Sequence, residues 1–129
     1  MKKYFILLLV TSLSVLASFS DQSDIDQVIS ALHQGDANRL SNYFDESVEI
    51  TLPEKSDNYS KAQAVLILKD FFYNNGVKSF EVKHKGEQGG GLFCIGTLQT
   101  KAGNYRTTVF MKMKSKSHFI KEIRFQAIE

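Results

Sequence analysis

The amino-acid sequence predicts an α+β fold, a cone in which a strongly curved antiparallel sheet wraps around one long helix behind an N-terminal helical hairpin. Two observations predict the sheet and the helix. Over residues 60–75 the apolar residues recur at helical spacing and form a broad stripe that includes Phe71 and Phe72. Over residues 77–129 apolar and polar residues alternate in successive segments, the pattern of antiparallel strands. A stripe with two adjacent phenylalanines needs a large apolar surface, and the later sheet is the element that can supply it.

Residues 1–20 have the features of a secretory signal peptide. Two lysines precede an apolar run over residues 4–16, and small residues suited to cleavage follow it. A membrane anchor is the alternative, but an apolar run of about 13 residues is shorter than the roughly 20 that a membrane span needs. We therefore expect cleavage, no membrane span afterwards, and one exported domain over residues 21–129. The sequence leaves a periplasmic or an extracellular location open.

The charge balance argues against nucleic acid as a partner. Cleavage removes two of the 16 basic residues and none of the 14 acidic ones, so the mature chain is nearly neutral. Nucleic-acid binding usually requires a basic excess on one face. Cys94 is the single cysteine, which excludes an internal disulfide. We interpret it as a small apolar residue of a central strand rather than a nucleophile.

The N-terminal part of the domain predicts two helices and a strand. Ser23 opens a first helix, Gly35 ends it, and Asp36 caps a short second helix whose apolar face continues to Phe44. Residues 48–52 then alternate as a first strand. The two helices are expected to form the helical hairpin.

The long helix has start and stop signals of its own. Pro53 stops the first strand, and residues 54–58 are predicted to form a polar loop. Ser60 and Gln63 fit a capping box at the start of the helix, and Gly76 supplies the usual stop just past its end.

Four strands are predicted after the long helix. The first covers residues 80–85, and a glycine-rich turn over residues 86–91 leads into a strand over residues 92–100 that is apolar on both faces. Residues 105–114 and 119–129 each alternate as half-buried strands. Short turns between them predict antiparallel neighbours.

This order of elements, with the opening segment over residues 25–50, resembles the nuclear transport factor 2-like superfamily, whose cone is also described as cystatin-like. Four shorter stretches resemble a family of small exported Bacteroidota proteins catalogued as a domain of unknown function: NYSKAQAVLILKDFF, FEVKHKG, CIGTLQTKAGNYR and IKEIRFQ. The resemblance implies the cone fold and export. It implies no established activity and transfers no catalytic residue.

An enzyme is the alternative that the superfamily suggests, because its ketosteroid isomerases and scytalone dehydratase place a carboxylate or a histidine inside the apolar cone. Here the inward-facing positions are short of acidic residues. His84 follows the alternation of Phe80 and Val82, so an inward imidazole acting as the base of an isomerase, dehydratase or hydrolase stays open. We favour a histidine at the rim of the sheet.

The other polar residues do not suggest a catalytic or metal site. Glu49 is expected to face outward, Asp45 to lie in a loop and Asp70 to lie on the helix surface. The three histidines are far apart and lack the short spacing of metal ligands. No metal or cofactor is predicted.

Two surface features are candidates for contact with a partner. Leu66 and Tyr73 flank the polar side of the long helix. Basic residues gather on the outer face of the last strands, where an anionic glycan, a lipid headgroup or an acidic protein could bind, although a solvated face is the interpretation we favour. They are Lys112, Lys114, Lys116, Lys121 and Arg124.

The sequence therefore predicts an exported non-catalytic domain that binds a small apolar ligand or a protein partner. The candidate pocket residues are Phe72, His84, Met111 and Phe125. The sequence leaves the identity of the ligand and the oligomeric state open.

Overall fold

The computed structural model of the chain describes residues 23–128. These residues form helices α1, α2 and α3 and strands β1 to β6. In chain order they are α1 Asp24–Gln34, α2 Ala37–Ser41, β1 Phe44–Leu52, β2 Lys55–Ser60, α3 Lys61–Asn75, β3 Val77–Gln88, β4 Gly91–Thr100, β5 Gly103–Lys114 and β6 Ser117–Ile128. The predicted signal peptide, residues 1–20, lies outside the described residues. Within residues 23–128 no helix has the length and hydropathy needed to cross a bilayer.

The strands form one mixed sheet in the order β2-β1-β6-β5-β4-β3. Four neighbouring pairs are antiparallel, but β1 and β6 are parallel, with Ile50 opposite Ile123. The prediction of a wholly antiparallel sheet was therefore wrong at this pair. Parallel neighbours need a long connection, and α3 with the intervening strands supplies one between β1 and β6.

Strand β2 is the element that the sequence pattern missed. Residues 54–58 were expected to form a loop, but Lys55–Ser60 pairs with β1 from Leu52 opposite Lys55 to Ser47 opposite Ser60. The strand lies at the edge of the sheet, and all its side chains except Tyr59 are exposed. A polar edge strand shows no apolar alternation, and it discourages pairing with other chains.

The second helix is shorter than its apolar pattern predicts. Helix α2 ends at Ser41, and Phe44 is the first residue of β1, where it is buried and lies opposite Ile120 of β6. The backbone N–H of Ile120 also donates to the carbonyl of Tyr43 at 2.6 Å. Because these partners are distant in sequence, helical spacing alone could not reveal them.

Helix α3 begins and ends with local signals. The backbone N–H of Gln63 donates to Ser60 Oγ, and the backbone N–H of Ser60 donates to Gln63 Oε1, each at 3.2 Å. This reciprocal pair is a capping box. Gly76 ends the helix with φ at 72°, a left-handed conformation that glycine adopts without steric cost.

The buried face of α3 packs against the last two strands. The ring centroid of Phe71 lies 4.6 Å from that of Phe125 on β6 and 5.2 Å from that of Tyr105 on β5. The ring of Phe72 meets Phe125 edge-on at 6.1 Å. Leu68, one turn earlier, is fully buried. Aromatic side chains of the protein therefore fill the space between α3 and β6.

The buried hydroxyl of Tyr59, on edge strand β2, provides a test of how this side chain is packed. This hydroxyl is buried and has no hydrogen-bond partner among the described residues. Because an unsatisfied buried polar group costs about 1 to 3 kcal/mol, we expect Tyr59→Phe to raise the free energy of unfolding by up to about 1 kcal/mol in urea denaturation. The matched control is Tyr105→Phe, which removes a hydroxyl that donates to Asn75 and should lower stability by about 1 kcal/mol. A loss of stability in Tyr59→Phe would contradict the assignment.

Candidate ligand-binding groove

Three of the four predicted pocket residues lie in the hydrophobic core, and the fourth lies on the surface. Phe72, Met111 and Phe125 are buried in the hydrophobic core, with Met111 and Phe125 fully inaccessible. Of these, Phe72 and Phe125 are in ring contact. His84 is exposed and lies on β3, at the opposite edge of the sheet from β2.

The exposure of His84 follows from an irregularity in β3. Phe80 is buried and Val82 is half-buried, as alternation predicts. Between Val82 and His84, however, the register with β4 shifts. A bulge of this kind inserts a residue and interrupts the alternation of faces. The alternative in which His84 shares the inward face of Phe80 does not hold. Its imidazole is exposed on an edge strand, in agreement with the favoured interpretation of a histidine at the rim of the sheet.

Cys94 has the environment of a structural residue. It lies on β4 between β3 and β5 and is fully buried. Burial raises the pKa of its thiol to about 12. Since the thiolate is the nucleophilic form, this cysteine is unreactive near neutral pH. Across residues 23–128, no group of three or more His, Cys, Asp or Glu side chains is arranged to hold a metal ion.

A groove of about 340 Å³ lies beside the C-terminal half of α3. We call it the α3 groove. Its walls come from α3, from the β1–β2 turn and from β5. They are Leu52, Pro53, Glu54, Ile67, Asp70, Phe71, Asn74, Asn75 and Tyr105. The helical positions 67, 70, 71 and 74 are spaced i, i+3, i+4 and i+7, so they face the same direction. One stripe of α3 therefore supplies both apolar and polar groups to the groove.

The wall that joins α3 to β5 is held by a short chain of contacts. The hydroxyl of Tyr105 donates to Asn75 Oδ1 at 2.7 Å, and Asn75 Nδ2 donates to the carbonyl of Phe71 at 2.8 Å. The rings of Phe71 and Tyr105 meet edge-on. Phe71 is 8% exposed, so it forms a fixed apolar wall. A preformed concave surface of this size is typical of small-molecule sites.

The charged side chains of the α3 groove are all acidic. Glu54 and Asp70 contribute carboxylates, Asn74 contributes an amide, and no lysine, arginine or histidine lines the groove. Both carboxylate residues are exposed. The placement of Asp70 on the helix surface agrees with the sequence interpretation, but its neighbours across the groove depend on how the chain folds.

A second groove, of about 390 Å³, lies on another side of α3. It is more open to solvent. Its lining residues are Gln34, Gly35, Asp36, Ala37, Asn38, Lys69, Phe72, Tyr73 and Val77. Asp36 is already occupied as the cap of α2, where its Oδ1 accepts from the N–H of Arg39 at 3.0 Å. Of the two grooves, the α3 groove has the more enclosed shape.

Asp45 is a buried carboxylate in a strand, so its assignment to a loop was wrong. It lies in β1 and accepts from Lys114 Nζ at 2.9 Å and from Lys121 Nζ at 3.0 Å. The hydrogen bond from Lys114 lowers the pKa of the Asp45 carboxyl from 3.8 to about 2. The parallel pairing of β1 with β6 brings these charges together, and nothing in the local sequence indicates it.

The same contacts change the interpretation of the basic outer face. Lys114 and Lys121 are paired with Asp45, and Arg124 is paired with Glu122 on its own strand at 2.6 Å. Three of the five predicted basic residues thus form ion pairs, and two carboxylates offset two of their three positive charges. This weakens the case for an anionic partner at that surface.

The Asp45 cluster predicts a specific dependence of stability on pH. The pKa of Asp45 is lower in the folded state than its usual value, so its contribution is present above about pH 4 and is lost as the pH falls towards about 2. We expect Asp45→Asn to reduce the drop in unfolding free energy between pH 5 and pH 2, measured by urea denaturation at each pH. The control is Asp57→Asn, at an exposed position of β2. A steep drop in Asp45→Asn equal to that of the wild type would contradict this role.

Comparison with known proteins places the chain in a family. The profile described as Domain of unknown function (DUF4783) matches residues 25–126. A DUF4783 protein from Bacteroides ovatus is 34% identical, with a TM-score of 0.77 over 80% of this chain and 94% of that one. A DUF4783 protein from Bacteroides uniformis is 31% identical, with a TM-score of 0.78 over 81% of this chain and 96% of that one. No curated protein matches the chain.

A more distant similarity concerns the fold alone. A nuclear transport factor 2-like protein of unknown function from Cytophaga hutchinsonii is 10% identical, with a TM-score of 0.60 over 85% of this chain and 95% of that one. The shared architecture is an α+β fold with a curved, open, mixed six-stranded sheet. The family match covers most of the chain and agrees with this architecture. The chain therefore belongs to the DUF4783 family, a domain of unknown function with a nuclear transport factor 2-like fold.

Proposed function

We propose that this chain is an exported, non-catalytic domain that binds a small ligand with an apolar body in the α3 groove. The observation that carries the proposal is the combination of a fixed aromatic wall with a polar rim in one preformed groove. Ligand sites commonly pair an apolar lining with a few polar groups that orient the ligand. The interior beside Phe72 and Phe125 is packed with side chains, so the ligand site lies at the end of the core rather than inside it.

The proposed position corresponds to the open end of a cone. In the proposed cone, the curved sheet wraps around α3, and α1 and α2 form a helical hairpin against the sheet and α3. Several contacts between the helices and the strands support the cone. Helix α3 packs on β1 and β2 and reaches β5 and β6 through Phe71, while α1 packs on β3 and β4 and α2 packs on α3.

The non-catalytic character rests on the chemistry of the described residues. The base and the nucleophile that the sequence analysis considered, His84 and Cys94, are respectively in solvent and buried with a raised pKa. The alternative of an isomerase, dehydratase or hydrolase that uses His84 thus lacks a base in an apolar pocket. A carboxylate at the groove rim orients a ligand without requiring proton transfer.

Export is the cellular part of the proposal and rests on residues 1–20. N-terminal sequencing of the protein purified from the cells that make it naturally tests this part. We expect the mature chain to begin close to residue 21. A mature chain that retains Lys2 and Lys3 would contradict export by cleavage.

The ligand site is tested with 1-octanol, which combines an apolar chain with one hydroxyl. We expect saturable binding to the wild type in NMR or calorimetric titrations, and weakening of at least about tenfold in Asn74→Trp, a loss of about 1.4 kcal/mol. Asn74 is exposed and lines the α3 groove, so an indole there would occupy the space. The matched control, Asn38→Trp, narrows the second groove instead and should bind like the wild type. No saturable binding, or weakening only by Asn38→Trp, would overturn the proposal.

A protein partner is the second candidate, and two exposed apolar side chains on α3 favour it. Leu66 is 63% exposed and Tyr73 is 86% exposed. They are seven residues apart and thus lie on one side of the helix. Under this candidate, Leu66→Ser combined with Tyr73→Ser would weaken binding of the partner and leave octanol binding intact. Equal partner affinity in the double variant would exclude this surface.

A further inference from the structure

We infer that the α3 groove selects a cation, so that its ligand class is an apolar amine, with a hydrocarbon body in the groove and an ammonium group at the rim. This inference rests on the proposed function and specifies the ligand. It derives from charge complementarity. Glu54 and Asp70 are the charged groups of the groove lining, and both are acidic.

Several other carboxylates that the structure describes are held in ion pairs. Asp26 is paired with Lys85, Asp45 with two lysines, and Glu122 with Arg124. Glu54 and Asp70 form no ion pair within residues 23–128. The negative charge at the groove is therefore available to a ligand.

The basic residues next to them in sequence are directed elsewhere. The ammonium of Lys55 lies 5.9 Å from the ring centroid of Tyr59. Lys69 lines the second groove, on a different side of α3. Neither lysine lines the α3 groove. A cationic ligand would thus meet two carboxylates without a competing basic group in the lining.

The aromatic wall adds a second preference for positive charge. Phe71 and Tyr105 both line the groove, and aromatic faces attract ammonium groups, more strongly when water is excluded. An anionic ligand would be repelled by the carboxylates, and a neutral ligand would gain neither interaction. Ile67 and Leu52 provide apolar surface for the hydrocarbon part. The arrangement suits an amine with an aliphatic or aromatic body.

The test compares three ligands that share an octyl group and differ in the charge of the head group: octylammonium, 1-octanol and octyl sulfate. We expect the wild type to bind octylammonium at least about tenfold more tightly than octanol, equivalent to one favourable charge contact of about 1.4 kcal/mol. Octyl sulfate should bind more weakly than octanol. The preference for octylammonium should decrease as salt is raised from 10 mM to 500 mM, because the carboxylates are exposed.

The double variant Glu54→Gln, Asp70→Asn removes both negative charges and tests whether these two carboxylates cause the preference for octylammonium. We expect its ratio of octylammonium to octanol affinity to fall close to one. The control Glu87→Gln, an exposed carboxylate on β3, should keep the wild-type ratio. Equal binding of all three ligands by the wild type, or a preference that survives in the double variant, would overturn the cation inference alone. If none of the three binds saturably, the proposed groove function fails as well.

Discussion

Phe72→Ala should lower the free energy of unfolding by about 3 to 5 kcal/mol, the usual cost of truncating a buried phenylalanine. Phe72 is 4% exposed and packs edge-on against Phe125, so truncation leaves a cavity beside another aromatic ring. Because a domain of this size is stabilised by only about 5 to 15 kcal/mol, the variant should lose a large fraction of its stability. Urea denaturation followed by circular dichroism measures the difference.

The adjacent residue provides the control for this prediction. Tyr73 lies on the same helix but is 86% exposed, so Tyr73→Ala removes a similar aromatic side chain without opening a cavity. We expect a change within about 0.5 kcal/mol, as for most surface substitutions. A cost of less than about 1 kcal/mol for Phe72→Ala would contradict its placement in the core.

Gly96→Ala should destabilise the domain by about 2 to 3 kcal/mol or more through overpacking. Gly96 is buried in β4, opposite Val82 and beside the irregularity of β3. A methyl group there would collide with the carbonyl oxygen of Glu81 and would approach Cζ of Phe80 to 2.7 Å. Since the first obstacle is backbone, β3 would have to separate from β4 to accommodate it. Thermal and urea denaturation both measure the loss.

Gly86→Ala is the matched control on the neighbouring strand. A methyl group at Gly86 would meet the Phe93 ring at 3.3 Å, and a small ring movement can relieve that contact. We expect a cost below about 1 kcal/mol, because no backbone atom obstructs the methyl group. If Gly96→Ala were as mild as this control, the close approach of β3 to β4 would be wrong.

Sequence patterns were sufficient wherever structure depends on neighbours in the chain. The capping box of α3 and its glycine stop are set within a few residues, and both are present in the structure. The alternation of apolar and polar residues along β5 and β6 could be recognised in the sequence because one face of each strand packs against the core. Patterns were insufficient where the partner is distant. Strand β2 carries no apolar alternation, and the parallel pairing of β1 with β6 joins segments from opposite ends of the domain.

The candidate site was less accessible to sequence reasoning than the fold. An alternating pattern cannot show a bulge, so it left an inward-facing His84 open beside the favoured position at the rim of the sheet. The α3 groove combines a helix stripe with a turn and a strand. Asp70 appeared to be an ordinary surface residue because its neighbours Glu54 and Tyr105 are brought near it only by folding. Such a constellation has no local sequence signature.

The most direct test of the α3 groove is a ¹⁵N–¹H NMR titration of the mature chain with 1-octanol. We expect saturable shifts that are largest for the amides of Ile67, Phe71, Asn75 and Tyr105, whose side chains line the groove. Shifts that saturate nowhere, or that centre on the second groove around Gly35, would contradict this expectation.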